Sequence, residues 1–156
     1  MSHDGYLLTA QAIAAMAGTA KTHFLNPNAQ RINKSLGDAT GLTGIGVHII
    51  EVEPGRDTTE YHVHHFEDEC VYVLSGQAVS IIDSEERTVT AGDFIGYRKG
   101  GHAHGLRNDG PDLLRVLVIG QRLAHDVGDY PNKGKRIYRN EGLEWDYVDH
   151  SAIKNP

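Results

Sequence analysis

Residues 61–76 read YHVHHFEDECVYVLSG. Three histidines (His62, His64, His65) and three acids (Glu67, Asp68, Glu69) fall within eight positions, and an apolar run follows from Cys70. A His-rich loop on a solvated edge would account for the polar half. It does not account for CVYVLSG, which reads as a strand running into a core. A second histidine cluster, KGGHAHGLRN at 99–108, opens another strand-like segment, so five of the ten histidines lie in two short windows. Neutral imidazoles with a carboxylate suit Fe, Mn, Ni or Zn, whereas Ca and Mg prefer all-oxygen sites.

Spacing gives the stretch a first geometry. Strands over 59–64 and 69–75, joined by a four-residue hairpin loop, set His64 opposite Glu69 with Cβ atoms about 5 Å apart. His62, two residues back, shares that face, and Val71 and Val73 continue it. Three potential ligands therefore converge. His65 has the opposite parity and reads as a loop residue. Cys70 alternates away from Glu69 and reads as a small buried hydrophobe.

Outward from this stretch the pattern repeats. GIGVHIIEVEPG, ECVYVLSG, QAVSIID, RTVT, GDFIGY, AHGLRN and DLLRVLVIG are short, β-branched or aromatic, and bounded by Gly, Pro, Asn or Asp. That spacing predicts an all-β sandwich or barrel over residues 44–120, with no helical pattern inside it. Residues 1–43 read as an arm in which TAQAIAAMAG forms a short N-terminal helix packed on the body of the protein. Residues 121–156 read as a polar tail with one extra strand in LEWDYVDH, with Leu143, Trp145 and Tyr147 on one face.

Composition narrows the function classes. A chain of 156 residues fits one domain. A net charge of −6 argues against a nucleic-acid footprint, and the single cysteine points to a reducing compartment. The apolar N-terminal run lacks a positive n-region, and no run approaches the length of a membrane span. The expectation is a cytoplasmic protein, with no nucleic-acid or membrane partner.

At this point the residues resemble the cupin superfamily, small jelly-roll β-barrels with two signature motifs. Gly55, His62, His64, Glu69 and Gly76 match the first motif, with one extra residue between Gly55 and His62. Gly92, Gly101, His104 and Asn108 match the second, with Lys99 where proline is usual and a gap one residue longer. The resemblance implies a site in which His62, His64, Glu69 and His104 hold one divalent metal ion (Fe, Mn, Ni or Zn). His102 shares the parity of His104 and competes for that place, but the family pattern and the spacing to Asn108 favour His104. His65 becomes a candidate for supporting the site from outside the ligand set, and Asn108 a candidate for bracing a turn.

Three histidines and one carboxylate around a divalent ion leave a net charge of about +1, which favours anionic oxygen ligands. The expected function is a mononuclear metal-dependent enzyme of isomerase, dioxygenase, decarboxylase or lyase type, acting on a small oxygenated, anionic molecule. Tyr97, His65 and His102 are its candidate catalytic residues. The alternatives are a non-catalytic small-molecule sensor with the same site, and a purely structural metal. Phe66-Glu67 stand where a binuclear metallo-β-lactamase needs Asp-His, and no His-Glu-x-x-His or P-loop occurs. The amidohydrolase His-x-His belongs to a TIM barrel, which this chain is too short to build. The basic run KGKR at 133–136 reads as a solvated surface, with phosphate binding as the other reading. Cys70, Tyr72 and Leu74 form a second apolar face on their strand, which predicts a homodimer with terminal segments crossing the interface. A monomer covered by its own tails is the alternative.

Overall fold

A computed structural model describes residues 5–156. The strand pattern of the sequence becomes two facing walls of antiparallel ladders, a jelly roll. One wall is a six-stranded sheet in the order β1 (Thr19–His23), β2 (Asn26–Ser35), β3 (Ile45–Val52), β10 (Leu114–Gln121), β5 (Glu69–Ser75) and β8 (Phe94–Tyr97). The other wall has two parts. β7 (Glu85–Thr90), β6 (Gln77–Ile82) and β9 (His104–Arg107) form one sheet, and β13 (Asp146–Asp149), β12 (Lys135–Asn140), β11 (His125–Tyr130) and β4 (Val63–His64) form the next. A single bridge, His62 to His104, links these two parts. The metal candidates therefore sit on a seam.

Period-2 alternation aims one set of side chains inward. Ile50 and Val52 of β3, Val71 and Val73 of β5, Val116 of β10 and Ile95 and Tyr97 of β8 meet Ala78 and Leu106 from the opposite wall. This core fills one end of the barrel, and the other end remains open as a cavity. Asn108 is fully buried; its amide donates to the carbonyls of Val52 and Asp112 and its oxygen accepts from the Gly110 N–H. Gly76 turns β5 into β6 at φ +86°, and a Cβ there would lie 2.8 Å from the Leu113 carbonyl oxygen. Gly76→Ala should therefore cost about 2–4 kcal/mol, from positive-φ strain plus overpacking, read as a lowered urea midpoint at unchanged slope.

The hairpin expected over 59–75 does not form. β4 pairs with β11, and β5 pairs with β8 and β10 in the other wall. The acids of the intervening loop explain the crossing, because they satisfy backbone donors of distant segments. Glu67 accepts the Leu123 N–H at 2.7 Å and Asp68 accepts the Lys99 N–H at 2.9 Å. The His65 N–H donates to the Val127 carbonyl at 2.8 Å.

The termini also differ from expectation. The arm contributes β1 and β2 to the large sheet, and the polar tail carries β11 and β12 as well as the expected β13. Their alternation is hidden in the sequence because neither face is apolar. One face of β2 borders the cavity, and the other pairs Lys34 with Glu51 at 3.0 Å. The N-terminal helix α1 (Ala10–Ala15) forms, capped by the Thr9 hydroxyl, but buries none of its residues. Ile13 and the C-cap Met16 are half-buried, and the rest of the helix is exposed. The outer face of β5 and β8 is likewise uncovered at Tyr72, Leu74 and Phe94. Among the described residues, no helix is long and apolar enough to cross a membrane.

The tail sheet is locked by Asp129 on β11. Its carboxylate accepts from Arg136 at 2.8 and 2.9 Å, from His65 at 2.6 Å and from His150 at 2.9 Å. Burial pushes the Asp129 pKa up, but hydrogen bonds from Arg136, His65 and His150 outweigh it and hold the carboxyl below the ordinary range. A carboxyl depressed in this way stabilises the fold above its unfolded value, near pH 4, and the contribution is lost as pH falls through the folded value. Asp129→Asn should cost about 1–3 kcal/mol at neutral pH by stranding Arg136. Urea unfolding at pH 7 and pH 3 checks the sign: the variant's deficit should shrink at the lower pH.

Candidate metal centre

Four chain segments deliver the site. His62 and His104 are fixed back to back by paired main-chain bonds, His62 N–H to the His104 carbonyl at 3.0 Å and the reverse at 2.8 Å. Glu69 opens β5 and stands opposite Tyr97 of β8 and Gly120 of β10. The ligating atoms of His62, Glu69 and His104 all lie within 4.8 Å of one another, with His104 Nε2 4.0 Å from Glu69 Oε1.

Hydrogen bonding at the far side of each ring sets the tautomers. His62 Nδ1 lies 2.7 Å from the Glu60 carbonyl oxygen, and His104 Nδ1 lies 3.3 Å from the His102 carbonyl oxygen. A carbonyl only accepts, so each Nδ1 carries the proton and each Nε2 presents a lone pair. Burial first of all keeps both rings neutral, driving His62 far below the usual imidazole value and His104 down to about 4. Among the described residues, His104 Nε2 is buried without any hydrogen-bond partner. Two lone pairs and a carboxylate thus converge with no donor among them. A divalent cation resolves that arrangement, since ligands at about 2.0–2.2 Å from one ion can be up to roughly 4.3 Å apart. The donor set fits a metal.

His64 approaches from β4, its ring nearly perpendicular to that of His62 at a centroid distance of 4.9 Å. Its Nδ1 meets the Asp126 carboxylate of β11 at 2.6 Å, which leaves Nε2 as its free nitrogen. Burial disfavours the charged ring, but the hydrogen bond it donates to Asp126 and the charge of Glu69 outweigh it and raise the His64 pKa. Burial also raises the Glu69 pKa, opposed by His64 and Arg31. His64, Glu67 and Asp126 form a second ligand-like group. That group already holds a cation, because Arg139 touches Glu67 and lies 3.8 Å from Asp126.

The structure separates the remaining candidates. Tyr97 lies at the site, its ring stacked on His104 at 3.6 Å and 5°, its hydroxyl buried and pushed well above the usual phenol range by burial. It orients the ring of His104. His65 points to Asp129, and His102 is exposed, 3.3 Å from Asp83. Neither lines the cavity. That cavity, about 680 Å³, has the histidines on its floor and Phe24, Arg31, Tyr130, Arg139 and Trp145 among its walls. Sequence reasoning missed Asp126, Arg139 and the arm residues, all remote in sequence and on strands that lack an apolar face.

A family model for the cupin domain matches residues 48–120. A crystal structure from Acidithiobacillus ferrooxidans ATCC 23270, described provisionally as a sugar phosphate isomerase, is 51% identical over 99% of both chains, with a TM-score of 0.96. A sugar phosphate isomerase of the cupin superfamily from Silicibacter pomeroyi is 24% identical over 89% of each chain, TM-score 0.76. A Thermotoga maritima protein, provisionally an oxalate decarboxylase, is 23% identical over 60% of this chain and 82% of its own, TM-score 0.53. The last two likenesses show the fold alone. No curated protein matches the sequence.

Proposed function

This chain belongs to the cupin superfamily, and from that premise we propose that it is a mononuclear metal-dependent isomerase of a phosphorylated sugar. The observation that carries the reading is the convergence of His62, Glu69 and the unpartnered His104 Nε2 on the floor of a substrate-sized cavity. The 51% identical relative supports the choice of substrate and reaction over the decarboxylase, dioxygenase and lyase alternatives. His62, His64, Glu69 and His104 would hold the ion, His64 through Nε2. Bound there, a divalent metal supplies Lewis-acid stabilisation for negative charge developing on a substrate oxygen.

The chain's own residues do the rest. The Glu60 and His102 carbonyls and the Asp126 carboxylate hold protons at the three Nδ1 atoms, so that each Nε2 faces inward. Tyr97 locks the plane of His104. Buried Tyr130, with Phe24 and Trp145 at the open rim, gives the cavity an apolar wall against which the carbon skeleton of the substrate would pack. The test is proton exchange. Metal-free protein reloaded separately with Fe(II), Mn(II), Ni(II) or Zn(II) is incubated in D2O with aldose and ketose monophosphates and followed by NMR. Metal-dependent deuterium incorporation beside the carbonyl, with interconversion, is the expected result. Ligand binding without exchange for every metal and sugar would instead leave a binding module.

The protein is proposed to work as a homodimer. Tyr72, Leu74 and Phe94 form an exposed apolar strip among the described residues, and α1 has no fully buried residue. Light scattering should give twice the 17.1 kDa chain mass, and Phe94→Asp should return the monomer.

A further inference from the structure

On β1 and β2, Lys21 stands directly opposite Arg31, and both line the cavity. Like charges directly opposite on paired strands repel. Elsewhere this chain neutralises such cations: Arg139, the other basic residue of the cavity wall, is paired with Glu67. Among the described residues, no carboxylate forms an ion pair with Lys21 or Arg31. Arg31 is half-buried and, among the described residues, makes a single side-chain hydrogen bond, from Nη1 to the Thr58 carbonyl, so most of its donor fork is unused there. His23, two residues beyond Lys21 on the same face, accepts the Leu25 N–H at Nδ1. Its remaining nitrogen, Nε2, is then the protonated one and a donor. Three donor groups, two of them cations without a carboxylate partner among the described residues, border one part of the wall.

We propose that Lys21, Arg31 and His23 form an oxyanion subsite that takes the phosphate dianion of the substrate while its carbonyl end reaches His62, Glu69 and His104. The choice of phosphate as the ligand rests on the sugar phosphate reading above; the juxtaposition of unpaired donors does not. Two full positive charges match a dianion better than a monoanion, and an Arg fork grips phosphate oxygens in pairs. Glu69 opposes the anion from the floor, so the phosphate is kept at the arm side of the cavity and away from the ligand histidines. The arm is therefore part of the active site.

Inorganic phosphate is the probe, titrated at fixed ionic strength into metal-free and metal-loaded protein, with acetate as the monoanion comparison. Calorimetry reads binding, and the fluorescence of Trp145, the single tryptophan and a wall residue, reports it independently. Phosphate should bind the metal-free protein more tightly than acetate, and Lys21→Met and Arg31→Met should each weaken it at least about tenfold. Arg31→Met also loses the Thr58 contact. Lys21→Met, at an exposed position, decides the matter if that variant melts early. Metal content should be unchanged in Lys21→Met. Phosphate binding that appears only with metal, or that Lys21→Met leaves intact, or that acetate equals, overturns the subsite and spares the metal centre. A wild-type protein that takes up none of the metals yet binds phosphate, and loses that binding in Lys21→Met, overturns the metal centre and supports the subsite.

Discussion

His104→Ala and His62→Ala are each expected to weaken metal binding on the order of a hundredfold or more, so that both variants purify essentially metal-free. The argument is one of lone pairs. Each ring has its Nδ1 committed to a carbonyl, so its Nε2 can meet only a proton or a cation, and burial keeps the proton off. Removing either ring takes away one of the two buried imidazoles that face Glu69 and leaves three of the four proposed donors, with a gap in the floor where the lost nitrogen stood. The comparison variants are His102→Ala and His65→Ala, whose side chains meet Asp83 and Asp129 and should retain full metal. Elemental analysis of all five proteins, wild type included, separates the outcomes. Equal metal in wild type, His62→Ala and His104→Ala would refute the ligand assignment, and loss in His102→Ala alone would move the site to the exposed histidine. Saturating metal should also raise the melting temperature of the wild type, because the ion binds only the assembled site.

Asp126→Asn is the second large effect, a 10–100-fold weaker metal affinity, the range expected when a carboxylate behind a ligand imidazole is lost. Asp126 touches no cavity-floor atom of the His62, Glu69 and His104 group. It acts through His64, whose Nδ1 it holds at 2.6 Å. A double-mutant cycle gives the decisive reading: if Asp126 works through His64, then adding Asp126→Asn to His64→Ala should cost little further affinity. Full additivity would mean that Asp126 contributes by another route, for instance through Arg139 or the Phe66 N–H that it also accepts. Thermal melts distinguish a weaker site from a weaker fold, since Asp126 also borders the Glu67–Arg139 contact.

The placement of these residues shows how far a linear reading reaches. CVYVLSG and DLLRVLVIG alternate apolar residues because their inward faces fill the core, and that alternation is written locally. The motif spacing of His62, His64, Glu69 and His104 likewise singled out four side chains that the fold brings to one cavity. The route was different from the one expected, since His64 and Glu69 come from opposite walls and not from one hairpin. Loop acids made the difference: Glu67 and Asp68 pair with backbone donors at Leu123 and Lys99, partners that sequence distance conceals.

Local chemistry thus determined what could be read one strand at a time, namely a β-rich barrel, its core face and the residue types of a candidate cation site. Only the tertiary structure decided which polar strands complete the walls. Lys21 and Arg31, Asp126, and Asp129 with His65 and His150 lie far from their partners in sequence or on strands without an apolar face. Hydrophobic periodicity records burial against a core. A strand whose faces meet a cavity and an ion-pair network leaves no such record, because its energy comes from contacts made only once the chain has closed.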